Sequence, residues 1–185
     1  MGKIYISAGR LERDAWDFAI QLHQAGCRFD WVVGVARGGA QISIYMQEVF
    51  CLLRRDHVNY AAVQAWSYTA IGEAETDVKI RNMDALADTI QPGQRMLVVD
   101  DVFDRGHTMK RVSEAMRTSL AGKAATIELG TLYWKPDNNQ TNIEPHFYHR
   151  VYAADDWLVF PHELRGLSQP ELAAKGFPVG KADIT

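Results

Sequence analysis

The sequence predicts a doubly wound α/β fold, in which a parallel sheet carries helices on both faces. Three observations lead to this fold class. Short apolar, β-branched runs alternate along the chain with segments whose apolar residues recur at helical spacing. Two of these runs are followed directly by a loop rich in glycine or in acidic residues and then by a helical segment. The alternation contains no internal repeat. This order is typical of parallel sheets with crossover helices.

The first half of the chain supplies an opening apolar segment, two helices and two strands. Leu11, Ala15, Phe18 and Leu22 recur at helical spacing and predict an amphipathic helix that ends near Gly26. The expected elements, in order, are an apolar segment at 4–6, that helix, a strand at 31–35, a helix reaching about residue 50 and a strand at 58–66. The polar stretch that follows, at 67–77, is interpreted as an exposed, mobile loop.

The second half continues the alternation. The expected elements are a helix at 81–90, a strand at 95–99, a helix reaching about residue 120, a strand at 125–133 and a further strand at 147–153. The turn-rich stretch at 135–145 is interpreted as a connection. Ser168 and Glu171 have the spacing of a capping box, which predicts that a helix begins in the tail.

Composition limits the classes of protein that fit. The chain has 185 residues, of which 47% are hydrophobic and 23% charged, as expected for one compact domain. A net charge of -3 gives no general attraction to nucleic acid or to an anionic membrane. Without a secretory signal or a long apolar run, we expect a cytoplasmic protein. Cys27 and Cys51 lack metal-ligand spacing and are expected to be reduced thiols.

The first loop whose residues suit ligand binding is GVARGG, from Gly34 to Gly39. Its glycines expose backbone N–H groups ahead of a helix, and Arg37 offers a guanidinium that suits a phosphate. An ordinary glycine turn with a surface arginine explains the same residues. In open α/β sheets ligands bind beyond the carboxyl ends of the strands, where this loop lies.

The second loop is VVDDVFDRGHT, from Val98 to Thr108. Asp100 and Asp101 follow a buried strand, and adjacent carboxylates suit ribose hydroxyls and a magnesium ion. Gly106, the Thr108 hydroxyl and the start of a helix favour a phosphate. The alternative, an N-capped helix with solvated acids, explains Asp104 but not the grouping of acids with glycine.

VVDDVFDRGHT resembles the signature of the type I phosphoribosyltransferases, in which a hydrophobic strand leads into two acids and then an acid, a threonine, a glycine and another threonine. GVARGG is similar to the pyrophosphate-binding loop of that family. The resemblance covers about residues 16–163. It implies one domain at 1–185, with a C-terminal hood element at about 147–185 built from terminal segments. It also implies phosphoribosyl pyrophosphate as donor, magnesium as cofactor and a homodimer or homotetramer.

The resemblance assigns roles to residues of this chain. Asp104 is implied as the catalytic group that accepts a proton from the base, and Asp100, Asp101 and Glu163 are implied as magnesium ligands, although the family commonly has aspartate where Glu163 stands. The donor-binding residues are implied to be Arg37, Gly38, Gly39, Asp100, Asp101, Asp104, Arg105, Gly106, His107 and Thr108. Arg105 replaces the usual threonine, so a hydroxyl expected to contact the 5-phosphate is absent.

Further features resemble the branch that acts on 6-oxopurines, which are hypoxanthine, guanine and xanthine. Ser67 and Tyr68 open a loop that is implied to close over the reactants and to end near Lys79. Lys135 is implied to reach the oxo group of the base, Trp157 to stack on the ring and Leu158 to contact its edge through the backbone. Taken alone, Lys135 is more often a solvated lysine and Trp157 more often a core or interface tryptophan; the neighbouring matches favour base binding by Trp157.

The function predicted from these residues is purine salvage by transfer of phosphoribose. Two alternatives stay open at this stage. The acceptor base differs if the protein uses orotate, uracil or adenine, because the donor site does not identify the base. Alternatively, the fold senses nucleotides or the donor without catalysis. No dinucleotide fingerprint or Walker loop supports a generic nucleotide-binding protein.

Overall fold

A computed structural model describes residues 2–67 and 78–178 of the chain. Its strands are β1 (Lys3–Tyr5), β2 (Trp31–Ala36), β3 (Asn59–Ser67), β4 (Val78–Arg81), β5 (Arg95–Phe103), β6 (Thr126–Trp134), β7 (Phe147–Val151) and β8 (Trp157–Val159). Its helices are α1 (Ala8–Gln24), α2 (Gly38–Arg54), α3 (Met83–Thr89), α4 (His107–Ser119) and α5 (Gln169–Ala174), with a 3-10 turn at Pro136–Asn138. Within the described ranges, none of the helices has the length and apolarity needed to cross a bilayer.

The main sheet has six strands in the order β4-β3-β2-β5-β6-β7. All neighbouring strands are parallel except the edge strand β4, which is antiparallel to β3. The chain winds outward from β2 in one direction and from β5 in the other. The predicted doubly wound sheet is therefore confirmed.

Alternate side chains of β5 pack against opposite layers of helices. Leu97 and Val99 belong to a core cluster with residues of α1 and α2, whereas Met96 and Val98 belong to a second cluster with residues of α3 and α4. All four side chains are fully buried. This two-sided burial explains why the central strands read as continuous apolar runs rather than as alternating ones.

Helix α1 forms where the apolar spacing predicted it. The Ser7 side chain accepts a hydrogen bond from the Arg10 amide and caps the first turn. Leu11, Phe18 and Leu22 are buried along one stripe, as expected. The helix ends at Gln24, close to the predicted stop at Gly26.

A second sheet joins the two terminal parts of the chain. Strands β1 and β8 pair in parallel, with Ile4 opposite Leu158. Glu171, near the start of α5, accepts hydrogen bonds from Lys3 and Tyr5, while Ser168 and Glu171 form the predicted capping box. The small sheet of β1 and β8 is separate from the six-stranded main sheet. The division into a core and a hood at 147–185 stays a prediction.

Three element assignments made from the sequence need correction. Strand β4 was not expected, since the loop was predicted to end near Lys79 and a helix to begin at about Arg81; α3 begins only at Met83. The three-residue strand β8 is too short to produce a recognisable period. Strand β5 runs to Phe103 instead of ending at Val99, because its pairing with β6 continues through Asp100 despite the low strand propensity of aspartate.

Candidate active site

The two chemically rich loops leave adjacent strands at the same edge of the sheet. Strands β2 and β5 are neighbours, and Gly34 lies opposite Val99 in their register. Helix α2 follows β2 onto one face, and α4 follows β5 onto the other. Diverging helices leave a crevice beyond the strand ends, which is the usual ligand position in an open α/β sheet.

The glycines of the first loop allow α2 to approach β5 closely. A Cβ atom on Gly38 would lie 1.9 Å from the Asp101 carboxylate, and one on Gly39 would lie 2.2 Å from the Val99 carbonyl oxygen. Helix α2 begins at Gly38 directly after Arg37, and the peptide bond between Ala36 and Arg37 is cis. The N-terminus of α2, whose first N–H groups have no partner within the helix, therefore lies beside the acidic end of β5.

Asp100 and Asp101 are two carboxylates held within β5. Asp101 is buried and Asp100 is half-buried. Burial raises the pKa of Asp100 well above its ordinary value, and the charge of Asp101 raises it further. Burial also raises the pKa of Asp101, to about 6. Bringing two acids together at this cost in desolvation is typical of a functional site.

The loop after β5 encloses a cavity of about 450 Å³. Gly106, with φ of 81°, turns the chain into α4, whose first residue is His107. The cavity is lined by the residues from Asp100 to Met109, which include Asp100, Asp101, Asp104, Arg105, Gly106, His107 and Thr108. The structure thus brings these predicted donor-binding residues together around one space, with Gly38 and Gly39 against its acidic wall.

The acidic end of β5 fits a magnesium ion by its chemistry. Carboxylate oxygens are the ligands that Mg²⁺ prefers, and a divalent cation would relieve the repulsion that raises the pKa of Asp100. Glu163 is the weaker part of the predicted set. Glu163 Oε2 accepts a hydrogen bond from the Phe160 amide at 3.0 Å. The negative charge of Glu163 also raises the pKa of Asp101. Ligation by these three residues stays a prediction.

A different acidic cluster lies away from this edge. In the part of the chain that the structure describes, Asp14, Asp17 and His149 place potential ligand atoms within 4.8 Å of one another. Asp14 already accepts hydrogen bonds from Tyr133 at 2.8 Å and from Arg150 at 3.1 Å. Protein groups therefore balance its charge, and the cluster joins α1 to β7.

The predicted base-binding residues are divided between two places. The Nζ atom of Lys135, a buried side chain, lies 3.8 Å from Asp104 Oδ2. Trp157 is 53% exposed and lines a second cavity of about 370 Å³ together with Arg37, His162 and Glu163. The Lys3 ammonium covers the Trp157 ring at 4.9 Å from its centroid. A base stacked on Trp157 would therefore use the face away from Lys3.

Leu158 and the predicted lid take other positions. The Leu158 side chain packs into the core beneath the small sheet, so only its backbone is left for the predicted contact with the base. Ser67 ends β3 and Lys79 lies within β4, which places the two ends of the predicted lid side by side on paired strands. Tyr68 and the rest of the loop through residue 77 lie outside the described residues.

Two residues at this edge were missed from the sequence. His162 Nε2 lies 3.6 Å from Asp101 Oδ2 and lines the second cavity. Asn138 donates a hydrogen bond to Asp104 Oδ1 at 2.7 Å. A sequence signal for His162 exists, because it directly precedes Glu163, a predicted magnesium ligand. Asn138 lay in a stretch dense in turn residues, where composition alone does not distinguish a positioning contact from a turn.

Comparison with known proteins identifies the family and the fold of this chain. The model of the family described as phosphoribosyl transferase domain matches residues 5–165. No curated protein matches the chain. Among solved structures, a purine phosphoribosyltransferase from Pyrococcus horikoshii is similar at 24% identity, with a TM-score of 0.67, over 91% of this chain and 99% of that one.

Two further structures are similar over 96% of this chain, each at 18% identity. One is a xanthine-guanine-hypoxanthine phosphoribosyltransferase from Helicobacter pylori, with a TM-score of 0.67 over 99% of its length. The other is a hypothetical protein from Neisseria gonorrhoeae with bound ppGpp, with a TM-score of 0.72 over 97% of its length. At these identities the likeness establishes the shared fold.

Proposed function

This chain belongs to the phosphoribosyl transferase domain family, and from that premise we propose that it transfers phosphoribose from phosphoribosyl pyrophosphate to a 6-oxopurine, releasing pyrophosphate. Membership confirms the prediction of a transferase enzyme. The 6-oxopurine acceptor, the role in purine salvage and each residue's role are the proposed part.

One observation carries the proposal. Asp104 lines the cavity at the end of β5, and its carboxylate also faces Lys135 at 3.8 Å. A single carboxylate therefore lies between the space suited to the donor and the cation suited to an oxo oxygen. A base whose imidazole N–H lies beside its oxo group fits this arrangement, because Asp104 would accept that proton while Lys135 donates to the oxo oxygen.

The donor would occupy the first cavity. Its 5-phosphate would accept hydrogen bonds from the backbone at Gly106 and from the N-terminus of α4, and its ribose hydroxyls would donate to Asp100 and Asp101. Its pyrophosphate would lie against Arg37 and the first N–H groups of α2. Magnesium held at Asp100 and Asp101 would neutralise charge on the leaving pyrophosphate.

The reaction exchanges one bond at the anomeric carbon for another. The bond to the pyrophosphate oxygen breaks as a purine ring nitrogen bonds to that carbon, and the imidazole portion of the purine loses one proton. Asp104 is the group proposed to accept this proton. The Lys135 ammonium holds the oxo oxygen, while Trp157 supports one face of the ring. Most of the rate enhancement then comes from positioning and electrostatics.

A panel of bases tests the acceptor. The protein is incubated with phosphoribosyl pyrophosphate and magnesium, together with hypoxanthine, guanine, xanthine, adenine, uracil or orotate, and products are separated by chromatography. We expect a nucleotide and an equal amount of pyrophosphate with at least one oxopurine. Turnover of adenine, uracil or orotate with none of the oxopurines refutes the proposed acceptor.

A second candidate function is nucleotide sensing on the same fold. The Neisseria gonorrhoeae protein of similar fold binds ppGpp, and this chain has Arg105 where the family usually has threonine. The same panel separates the two functions when donor binding and ppGpp binding are measured by calorimetry alongside it. Binding of donor or ppGpp without turnover of any base favours the sensor.

A further inference from the structure

The connection between β6 and β7 holds the side chain of the proposed proton acceptor. We propose that Asn138 is a positioning residue, which fixes the Asp104 carboxylate relative to the segment that leads to Trp157. This inference rests on the proposed function, because it concerns the orientation of the group that accepts the proton. Composition alone describes this stretch as a connection dense in turn residues.

Both N–H donors of the Asn138 amide have acceptors in this position. Its Nδ2 donates to Asp104 Oδ1 at 2.7 Å and to the Ala154 carbonyl oxygen at 2.9 Å. An asparagine amide carries two N–H hydrogens, and each has one acceptor here. The opposite orientation of the amide would turn its oxygen towards two other acceptors. The hydrogen-bond pattern therefore determines which way the amide faces.

These contacts restrict an otherwise free carboxylate. The terminal torsion of aspartate is broad, so a solvated carboxylate samples many orientations. In this site Asn138 holds Oδ1, and the Lys135 ammonium lies 3.8 Å from Oδ2. The Lys135 backbone is held in place, since its amide N–H donates to the Phe103 carbonyl at 3.0 Å. Each oxygen of Asp104 thus has a side chain beside it.

The second hydrogen bond of Asn138 links the two halves of the site. Ala154 precedes Trp157 by three residues, in a turn closed by the Ala153 amide and the Asp156 carboxylate at 3.0 Å. Asp104 lies in the loop that encloses the donor cavity. One amide therefore sets the distance between the proton acceptor and the segment that carries the stacking ring.

The turn that presents Asn138 is anchored by other residues. The Gln140 amide donates to the Arg105 carbonyl at 3.1 Å, and Asn139 Nδ2 donates to the Ile143 carbonyl at 2.8 Å. Asn139 Oδ1 also accepts from the Thr141 amide at 2.9 Å. Asn139 therefore shapes the same turn through internal bonds, and its matched variant tests for a merely structural effect.

The experiment compares Asn138→Ala, Asn138→Asp and Asn139→Ala in the full chain, with turnover expressed per folded molecule as measured by circular dichroism. Asn138→Ala frees the carboxylate, and Asn138→Asp replaces two donors with a negative group. We expect kcat to fall about tenfold in Asn138→Ala and further in Asn138→Asp, with the KM for donor changed by no more than about twofold. Asn139→Ala should keep kcat within about twofold of the wild type.

The inference is overturned if both Asn138 variants keep the wild-type kcat, or if Asn139→Ala loses as much kcat as Asn138→Ala. A rise in donor KM with unchanged kcat also overturns it, because that result assigns Asn138 to donor binding. Failure of the proposed function has a different signature, which is a wild-type protein that turns over none of the bases, and this inference fails with it.

Discussion

Close contacts between individual atoms determine how a ligand can bind at the sheet edge formed by β2 and β5. At Gly38 even a methyl group would meet the Asp101 carboxylate at 1.9 Å, which leaves no space for any other residue. The Gly38 backbone and the Asp101 carboxylate thus lie directly against each other, and a side chain at this position would separate them. The helix N-terminus and the acids can act on the same ligand only because this position is glycine.

Gly38→Ala tests that close approach. The added methyl should displace Asp101 or the start of α2, lower the free energy of unfolding by about 1–3 kcal/mol and abolish donor binding. Chemical denaturation and calorimetry with phosphoribosyl pyrophosphate measure the two effects. Gly9→Ala is the control, because its nearest atom is the flexible end of Arg13 at 3.5 Å. Donor affinity equal to the wild type in Gly38→Ala would contradict the described packing.

Asp104→Asn tests the proton acceptor. The amide keeps the size of the side chain but accepts a proton poorly, so turnover should fall by about 10²–10⁴-fold while donor affinity stays near that of the wild type. Single-turnover kinetics separate the chemical step from donor binding. Equal turnover in this variant would remove Asp104 from the proposed role.

The cluster around Asp14 gives a pH dependence of stability that is separate from the site. Burial would raise the pKa of Asp14, but hydrogen bonds from Tyr133 and Arg150 lower it below its usual range. Burial lowers the pKa of His149 below the ordinary 6.5. The folded chain therefore binds a proton at His149 less readily than the unfolded chain, and this contribution to stability is lost as pH falls below about 6.5.

His149→Gln checks this sign. The ordinary histidine pKa of about 6.5 lies within the range from pH 7.5 to pH 5.5. As pH falls across this range, the free energy of unfolding of the wild type should decrease relative to that of the variant. Because Asp100 and Asp101 contribute the opposite slope, the difference between the two proteins is the quantity to measure by urea denaturation. The exposed His57 provides the control variant His57→Gln. A difference that stays constant with pH would show that burial does not affect protonation of His149.

Among the secondary-structure elements, strand β5 shows most clearly which features the sequence predicts and which depend on a neighbouring strand. Its apolar run predicted both its burial and the position of the acids, while its true end at Phe103 depends on pairing with β6, which is a contact distant in sequence. The same limit explains β8, whose three residues form a strand only because β1 lies beside them. Local patterns predict the elements that bury a whole face and fail where a neighbouring strand decides.

Strands β3 and β4 form an antiparallel hairpin. Ser67 pairs with Val78, so residues 68–77 connect two adjacent strand ends. A two-residue Asn-Gly turn in place of residues 68–77 should therefore preserve the fold. If the loop closes over the reactants as proposed, turnover should fall at least about tenfold, because water would reach the donor. Thermal unfolding and the base assay check the two parts, and unchanged turnover would refute the lid.

For the whole molecule, topology brings together what the sequence keeps apart. Arg37 and Trp157 are distant in the chain, yet both line the second cavity with His162. The alternation of strands and helices was enough to predict that the loops after β2 and β5 meet at one edge. It was not enough to place Asn138 or His162, whose contacts depend on how the connection after β6 and the terminal segments fold over that edge.

The acids and glycines at the ends of β2 and β5 form the proposed donor site. Calorimetric titration of phosphoribosyl pyrophosphate in the presence of magnesium tests it directly, with the wild type, the double variant Asp100→Asn/Asp101→Asn and the exposed control Asp88→Asn. We expect saturable binding by the wild type and by the control, and binding at least about tenfold weaker in the double variant, a loss of 1.4 kcal/mol or more. Equal donor affinity in all three proteins would contradict it.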